Sequence, residues 1–389
     1  MPYERPVAPD TLLGPVELTA IAHGGHCVAR IGGRVVFVRH GIPGEQVFVR
    51  VTDDSKPRFW WGEVAEVVSA SDDRVVPPCP VAGRCGGCDF QHVALPRQRE
   101  LKAQVVAEQL RRLAGIDWPV VVDPVPGDDK GLGWRTRMRY LVRGGRVGLR
   151  GWRSDELVEL PEGGCRIAHP EGPDDLTRWA QDDGELQVVV GSEQTTVLGG
   201  SGEPVQGSAI VRQQVGARWY RVRADGFWQV HPGAVQVLTE AVLAGLQPAA
   251  GERAVDLYCG VGLFAGALVD AGCRVVGIEA SRIAIDLARV NVPEASFHAV
   301  RLERAGNRLP RRTDLVVLDP PRTGAGAAVV RRVTDMDARA IAYVACDPAA
   351  LARDLATFAG LNYRLTGLRA FDLFPMTHHV ECIAILRRG

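Results

Sequence analysis

Hydrophobic and polar residues follow three successive rhythms along this chain. From 10 to 70, short runs such as Val35-Val36-Phe37-Val38 and Val47-Phe48-Val49 are punctuated by glycines, so strands are predicted over 16–18, 34–38, 46–51 and 62–67. Strands and turns at this spacing suggest a small OB-like barrel. From 75 to 220 a helical stretch over 95–113 gives way to strand-like alternation, and the glycines near 199–207 blur the internal boundaries. From 225 to 389, apolar runs over 254–258, 274–278, 314–318 and 340–344 alternate with helix-like stretches over 262–271, 281–291, 325–334 and 349–358. That alternation predicts a doubly wound parallel sheet that binds ligands at the carboxyl ends of its strands. The chain therefore reads as a multidomain α/β protein: an N-terminal barrel, a central α+β domain and a C-terminal Rossmann-like domain. No repeat or low-complexity tract interrupts it.

Composition narrows the class. The chain has 389 residues, 46% of them hydrophobic, enough to bury two or three cores of ordinary size. No apolar run approaches the ~20 residues that span a bilayer, and the start carries no apolar leader, so a cytoplasmic protein with no membrane association is expected. Nine cysteines at uneven spacing in a reducing compartment point to metal ligation or catalysis before disulfides. With 46 basic and 46 acidic residues the net charge is zero, so affinity for nucleic acid must come from local patches. One candidate patch runs from Trp134 to Arg153, where seven arginines interleave with Trp134, Tyr140 and Trp152 and no acid intervenes. Guanidinium groups pair with phosphates and rings stack on bases, which suits a single-stranded polynucleotide. A solvated strand face in an arginine-rich chain gives the same pattern.

The chemistry-bearing motifs sit at the ends of the C-terminal strands. Asp256-Leu257-Tyr258-Cys259-Gly260-Val261-Gly262 is a strand running through a glycine turn into a helix, and Glu279 ends the next strand, where a carboxylate can accept from both hydroxyls of a ribose. A dinucleotide-binding dehydrogenase would use the same pair. The choice comes from Asp319-Pro320-Pro321-Arg322, which resembles motif IV of class I methyltransferases acting on nucleobases. Cys346, in Tyr343-Val344-Ala345-Cys346-Asp347-Pro348, also follows a strand and can serve as a nucleophile if the next helix N-terminus lowers its pKa. Glu381 precedes the predicted last strand over 382–386 and is a candidate general base. The adjacent His378 and His379 point to opposite sides on an extended segment, which argues against a metal there. Cys79, Cys85 and Cys88 with a glycine pair form a tight ligand loop, and Cys165 is the candidate fourth thiolate; zinc and an iron-sulfur cluster both fit the spacing.

Taken together, these motifs resemble the bacterial SAM-dependent RNA uridine-5 methyltransferases, in the branch that carries a TRAM barrel and a [4Fe-4S] cluster and acts on 23S ribosomal RNA. The resemblance covers nearly the whole chain. It implies that Cys79, Cys85, Cys88 and Cys165 hold a [4Fe-4S] cluster, and that Gln229, Tyr258, Gly260 and Glu279 contact S-adenosylmethionine. It further implies Asp319 beside cofactor and target base, Cys346 as the nucleophile that adds to C6 of uracil, and Glu381 as the base that removes the C5 proton. The implied partner is RNA, 23S rRNA favoured over tRNA, with the protein a monomer. Three positions depart from the family pattern: His231 and Asp347 stand where Asn is usual, and Leu263 replaces a common polar residue. Competing readings are a cytosine-C5 methyltransferase and an RNA-binding factor with a vestigial methyltransferase fold.

Overall fold

A computed structural model describes residues 12–389, so the first two positions of the 10–70 region lie outside the described residues. The N-terminal region folds as a curled six-stranded sheet of Leu12–Glu17, Ala20–Ile21, Cys27–Ile31, Arg34–Arg39, Gln46–Asp53 and Phe59–Ser69, in the spatial order first, fifth, sixth, fourth, third, second. Cys27–Ile31 was missed in the sequence because its inward side chains, Cys27, Ala29 and Ile31, are small or isolated. The barrel interior of Leu18, Val36, Val38, Val47, Val49 and Trp60 does not close on itself. It continues into Phe90, Val93, Leu101 and Val105, the last two from the helix Leu95–Gln109, so barrel and helix share one core.

The central region is a second six-stranded sheet built on Arg137–Arg143, Arg146–Arg150 and Gly184–Val190, beside which lies the hairpin of Ile210–Val215 and Arg218–Arg223. Here the arginine-rich segment takes a different form from the stacking surface considered above. Trp134 and Tyr140 are buried. Arg137 is buried too and donates to the Ala224 and Gly226 carbonyls. Arg146 pairs with Glu159, and Arg150 with Asp155 and Glu185. Acids absent from the segment itself arrive from neighbouring strands and a turn, and three of its seven arginines, Arg139, Arg146 and Arg150, pair with them.

The C-terminal region carries an eight-stranded sheet whose strands are labelled in chain order: β1 Val122–Asp123, β2 Arg253–Leu257, β3 Arg274–Glu279, β4 Ser296–Ala299, β5 Leu315–Leu318, β6 Ala340–Ala345, β7 Tyr363–Phe371 and β8 Glu381–Arg388. Their order across the sheet is β4-β3-β2-β5-β6-β8-β7-β1. Helices cover both faces, so β5 and β6 are buried at every residue, as the unbroken apolar runs required. The sheet is not wholly parallel. β8 runs antiparallel between β6 and β7, with Ala345 opposite Cys382. A buried ion pair of Lys102 and Asp372, 2.5 Å apart, fastens the helix Leu95–Gln109 to the end of β7, and the Lys102 Nζ also donates to the Phe374 carbonyl. Among the described residues no helix is long and apolar enough to cross a membrane.

Candidate active site

Strand order decides which residues meet. Reading the sheet edge from β3 through β2, β5 and β6 to β8 brings Glu279, the Tyr258–Gly260 turn, Asp319, Cys346 and Glu381 into one row. The reversed direction of β8 puts its first residue, rather than its last, at the carboxyl ends of the parallel strands. Glu381 therefore lies one residue beyond the Ala345–Cys382 pair, beside Cys346. Four strand intervals of about 4.8 Å make the row roughly 19 Å long, room for a nucleoside at one end and a base at the other.

All seven of Gln229, Tyr258, Gly260, Glu279, Asp319, Cys346 and Glu381 line a single crevice of about 840 Å³. At its β2–β3 end the backbone turns sharply: Tyr258 adopts φ 61°, strained for a residue with a side chain, and Gly260 and Gly262 follow at φ 51° and 94°. Glu279 accepts from the backbone amides of Gly260 at 3.4 Å and Ser281 at 2.8 Å. Beneath the turn, Asp256 is fully buried and accepts from the Ala265 amide, 2.8 Å, which pins the helix Leu263–Asp270 to β2. Burial drives the Asp256 carboxyl well above the usual carboxylate range. Gln229 reaches the crevice from the segment after the Arg218–Arg223 strand, with Phe227 exposed at the rim.

The β5–β8 end concentrates acid groups away from water. Burial pushes Asp319 up to about 7 and Glu381 well above its ordinary value, and Glu381 is raised further by the Asp319 carboxylate while Arg322 opposes. The lowered pKa set as a condition for Cys346 is not met in the ligand-free protein. Burial and then the Glu381 carboxylate push its thiol up to about 11, and only Arg322 pulls the other way. The helix N-terminus that was to stabilise a thiolate is capped internally, because Asp347 accepts from the Ala350 amide at 2.7 Å. Arg322, quoted in the sequence only as the end of the Asp-Pro-Pro tetrad, lines this end of the crevice and contacts His379 Nε2 at 3.1 Å. Nothing in the spacing could have shown that contact.

The segment before β8 turns sharply, with Met376 at φ 66°, so His378 and His379 do not point to opposite sides. Their rings are 4.1 Å apart, and His378 Nδ1 lies 2.6 Å from Asp89 Oδ2. Of the departures from the family pattern, Leu263 lines the crevice, whereas His231 is outside it, buried and stacked on Trp134.

The four cysteines of the central region, Cys79, Cys85, Cys88 and Cys165, line a separate cavity of about 330 Å³ together with Arg135, Arg139, Arg150, Arg153 and Arg166. Burial raises the Cys85, Cys88 and Cys165 thiols. Backbone amides oppose it, with Gly87 N 3.4 Å from the Cys85 sulfur and those of Ile167 and Ala168 turned to Cys165. Among the described residues no group of three or more His, Cys, Asp or Glu side chains is arranged to hold a metal ion.

Comparison with known proteins places both ends of the chain. Residues 15–64 match the TRAM domain family, and residues 310–389, which include Asp319, Cys346 and Glu381, match the tRNA (Uracil-5-)-methyltransferase family. An RNA methyltransferase of Streptomyces avermitilis is 45% identical over 95% of this chain and 97% of its own length. The 23S rRNA (uracil(1939)-C(5))-methyltransferase RlmD of Pseudomonas putida is 29% identical over 96% of this chain and 93% of its own. Among solved structures, Pyrococcus abyssi tRNA (uracil-54, C5)-methyltransferase, in complex with S-adenosyl-L-homocysteine, superposes with a TM-score of 0.73 at 23% identity, covering 96% of this chain and 99% of that one.

Proposed function

The chain belongs to the RNA methyltransferase family that joins a TRAM domain to a uracil-5 methyltransferase domain, and from that membership we propose that it methylates C5 of a uridine in 23S ribosomal RNA through a covalent adduct between Cys346 and C6. The observation that carries the proposal is the meeting of Asp319, Cys346 and Glu381 at one end of a crevice whose other end has the glycine turn and acidic strand end of a nucleoside site. Full-length similarity to an enzyme acting on 23S rRNA supports the RNA class.

S-adenosylmethionine, when bound, supplies an electrophilic methyl group. The crevice suits it: about 840 Å³ lies within the range of small-molecule sites, the bare backbone at Gly260 allows close approach, and Glu279 holds its carboxylate at the ribose position. Gln229 and Tyr258 would complete the contacts.

Uracil C5 is a poor nucleophile. Addition of the Cys346 thiolate to C6 turns O4, C4 and C5 into an enolate, and C5 then takes the methyl group. Glu381 removes the C5 proton, elimination breaks the sulfur–C6 bond, and the base regains its double bond as Cys346 leaves. A carboxyl already raised by burial is matched to that proton transfer. Asp319, beside it, is placed to hold the N3–H or O4 edge of the base. The base must leave its stack to enter, at a cost of roughly a few kcal/mol, which RNA contacts elsewhere on the protein offset.

Cys79, Cys85, Cys88 and Cys165 would hold the [4Fe-4S] cluster. Four thiols facing one cavity, amides directed at the sulfurs and a surround of guanidinium groups suit a cluster carrying negative charge. The reaction transfers no electron, so a cluster held there would serve to shape the surrounding surface.

The test is incubation with labelled S-adenosylmethionine and undermodified ribosomal and transfer RNA separately, followed by nucleoside analysis. Label in 5-methyluridine of the ribosomal pool is the expected result, and Cys346→Ala should abolish it with RNA binding retained. Label only in the transfer RNA pool would reassign the substrate, and normal turnover by Cys346→Ala would refute the adduct.

A further inference from the structure

The nucleophile faces a second cavity that the reaction above does not use. Beside Cys346, which with Arg322 also lines the crevice, lies a recess of about 160 Å³ bounded by Cys346, Asp347, Arg322 and His378 from the catalytic domain and by His23, Gly24 and Gly25 from the barrel. A loop more than 320 residues away in sequence thus forms one wall of the catalytic centre.

The loop is built to reach that position. Its turn is closed by the Ala22 amide donating to the His26 carbonyl at 2.7 Å and the Gly25 amide to the Ala22 carbonyl at 3.0 Å. Its far end is anchored by His26, buried edge-on against Trp61 at 4.7 Å. Gly25 lies at φ 80°, and a Cβ there would stand 2.6 Å from His378 Cβ, so only glycine lets the loop press onto the segment that leads to Glu381. Two residues earlier, His23 Nε2 is 3.1 Å from Asp347 Oδ2. The other oxygen of that carboxylate caps the helix Pro348–Ala359. Asp347 is bonded directly to Cys346 through the chain, so a single carboxylate fixed from both sides sets the peptide from which the nucleophile projects.

We infer that His23 is a positioning residue: the barrel loop acts as a brace that holds Cys346 at the angle needed for attack on C6, through the His23–Asp347 hydrogen bond and the Gly25–His378 contact. The inference deepens the methyltransferase reading and rests on it. With the proton on Nε2, the imidazole donates to the Asp347 carboxylate. It also gives Asp347, one of the departures noted in the sequence, a second partner.

The test compares wild type, His23→Ala and His23→Gln, whose amide nitrogen can replace Nε2. The first readout is the single-turnover rate of adduct formation on RNA carrying 5-fluorouridine, where the fluorine on C5 blocks the last step and the adduct accumulates. The second is the rate at which iodoacetamide alkylates Cys346 in the free protein, read on the Cys346 peptide by mass spectrometry. At saturating RNA and cofactor, His23→Ala is expected to form adduct about 5- to 10-fold more slowly, with RNA Kd within about two-fold of wild type. Its Cys346 should alkylate several-fold faster, and His23→Gln should restore both values. Wild-type rates in His23→Ala, a defect confined to RNA Kd, or equal loss in both variants would overturn the brace. Absence of any adduct in the wild type would overturn the covalent reading instead, and the alkylation contrast would still decide the brace.

Discussion

Asp319 and Glu381 are carboxyl groups stored where a carboxylate is costly, which links function to stability. An acid whose folded pKa lies above its unfolded one contributes most at low pH, and the contribution is lost as pH rises from the unfolded pKa towards the folded one. For Asp319 that window runs from about 4 to about 7. Asp319→Asn and Glu381→Gln are therefore expected to stabilise the ligand-free protein at pH 8 by about 1–3 kcal/mol and to be nearly neutral at pH 4, while losing activity. Urea unfolding at the two pH values checks this; destabilisation at pH 8 would show that the carboxylates are better solvated than their burial implies. At this scale the sequence displayed Asp319, Cys346 and Glu381, because each sits at a strand end and apolar runs mark strand ends. It could not display His23, Asp89 or the His379 partner of Arg322, since contacts between residues hundreds of positions apart leave no spacing to read. Whether the helix N-terminus lowers the Cys346 pKa stays a condition in the sequence for a related reason: helix position is local and readable, and the burial that raises the thiol is not.

Elements were legible in proportion to how completely they are buried. β5 and β6, apolar at every residue, stand in the run pattern almost to the residue, whereas β7 has a half-exposed face and passed unnoticed. The arginine segment left two readings open because alternation shows two faces without saying which is inside: Trp134 and Tyr140 turn inward, while Arg153 lies over Trp61 and Trp152. The cysteine loops allow an element-level prediction. Cys79, Cys85 and Cys88 come from one loop and Cys165 from another, so a shared cluster would tie the two together. Protein purified under nitrogen is expected to contain iron and acid-labile sulfide in equal amounts. Cys165→Ser should lower both and make the chain near residue 165 sensitive to protease. A wild-type protein with zinc and no sulfide would replace the cluster with a single-ion site.

Across the whole molecule the net charge of zero means that RNA must be held by a local surface rather than by a general field. The barrel offers one. Phe37, Phe59 and Trp61 form a half-buried aromatic row with centroids 5.1–6.0 Å apart, and Arg153 from the central domain lies 4.8 Å over Trp61. Rings of this kind stack on unpaired bases for about 1–3 kcal/mol each. Trp61→Ala is expected to weaken RNA binding about 10-fold or more in a filter-binding titration and to leave cofactor affinity unchanged; unaltered RNA affinity would move the contact elsewhere. The order of strands has one more outcome, in the making of the protein rather than its working. β8 is the last strand in the chain, yet its place is in the interior of the sheet, between β6 and β7. During synthesis β6 must wait beside an open slot until residue 388 has cleared the ribosome. Until then Cys346 has neither Glu381 beside it nor a finished wall around it, so under the proposed mechanism the site that would capture an RNA base is completed together with the carboxylate that would release it.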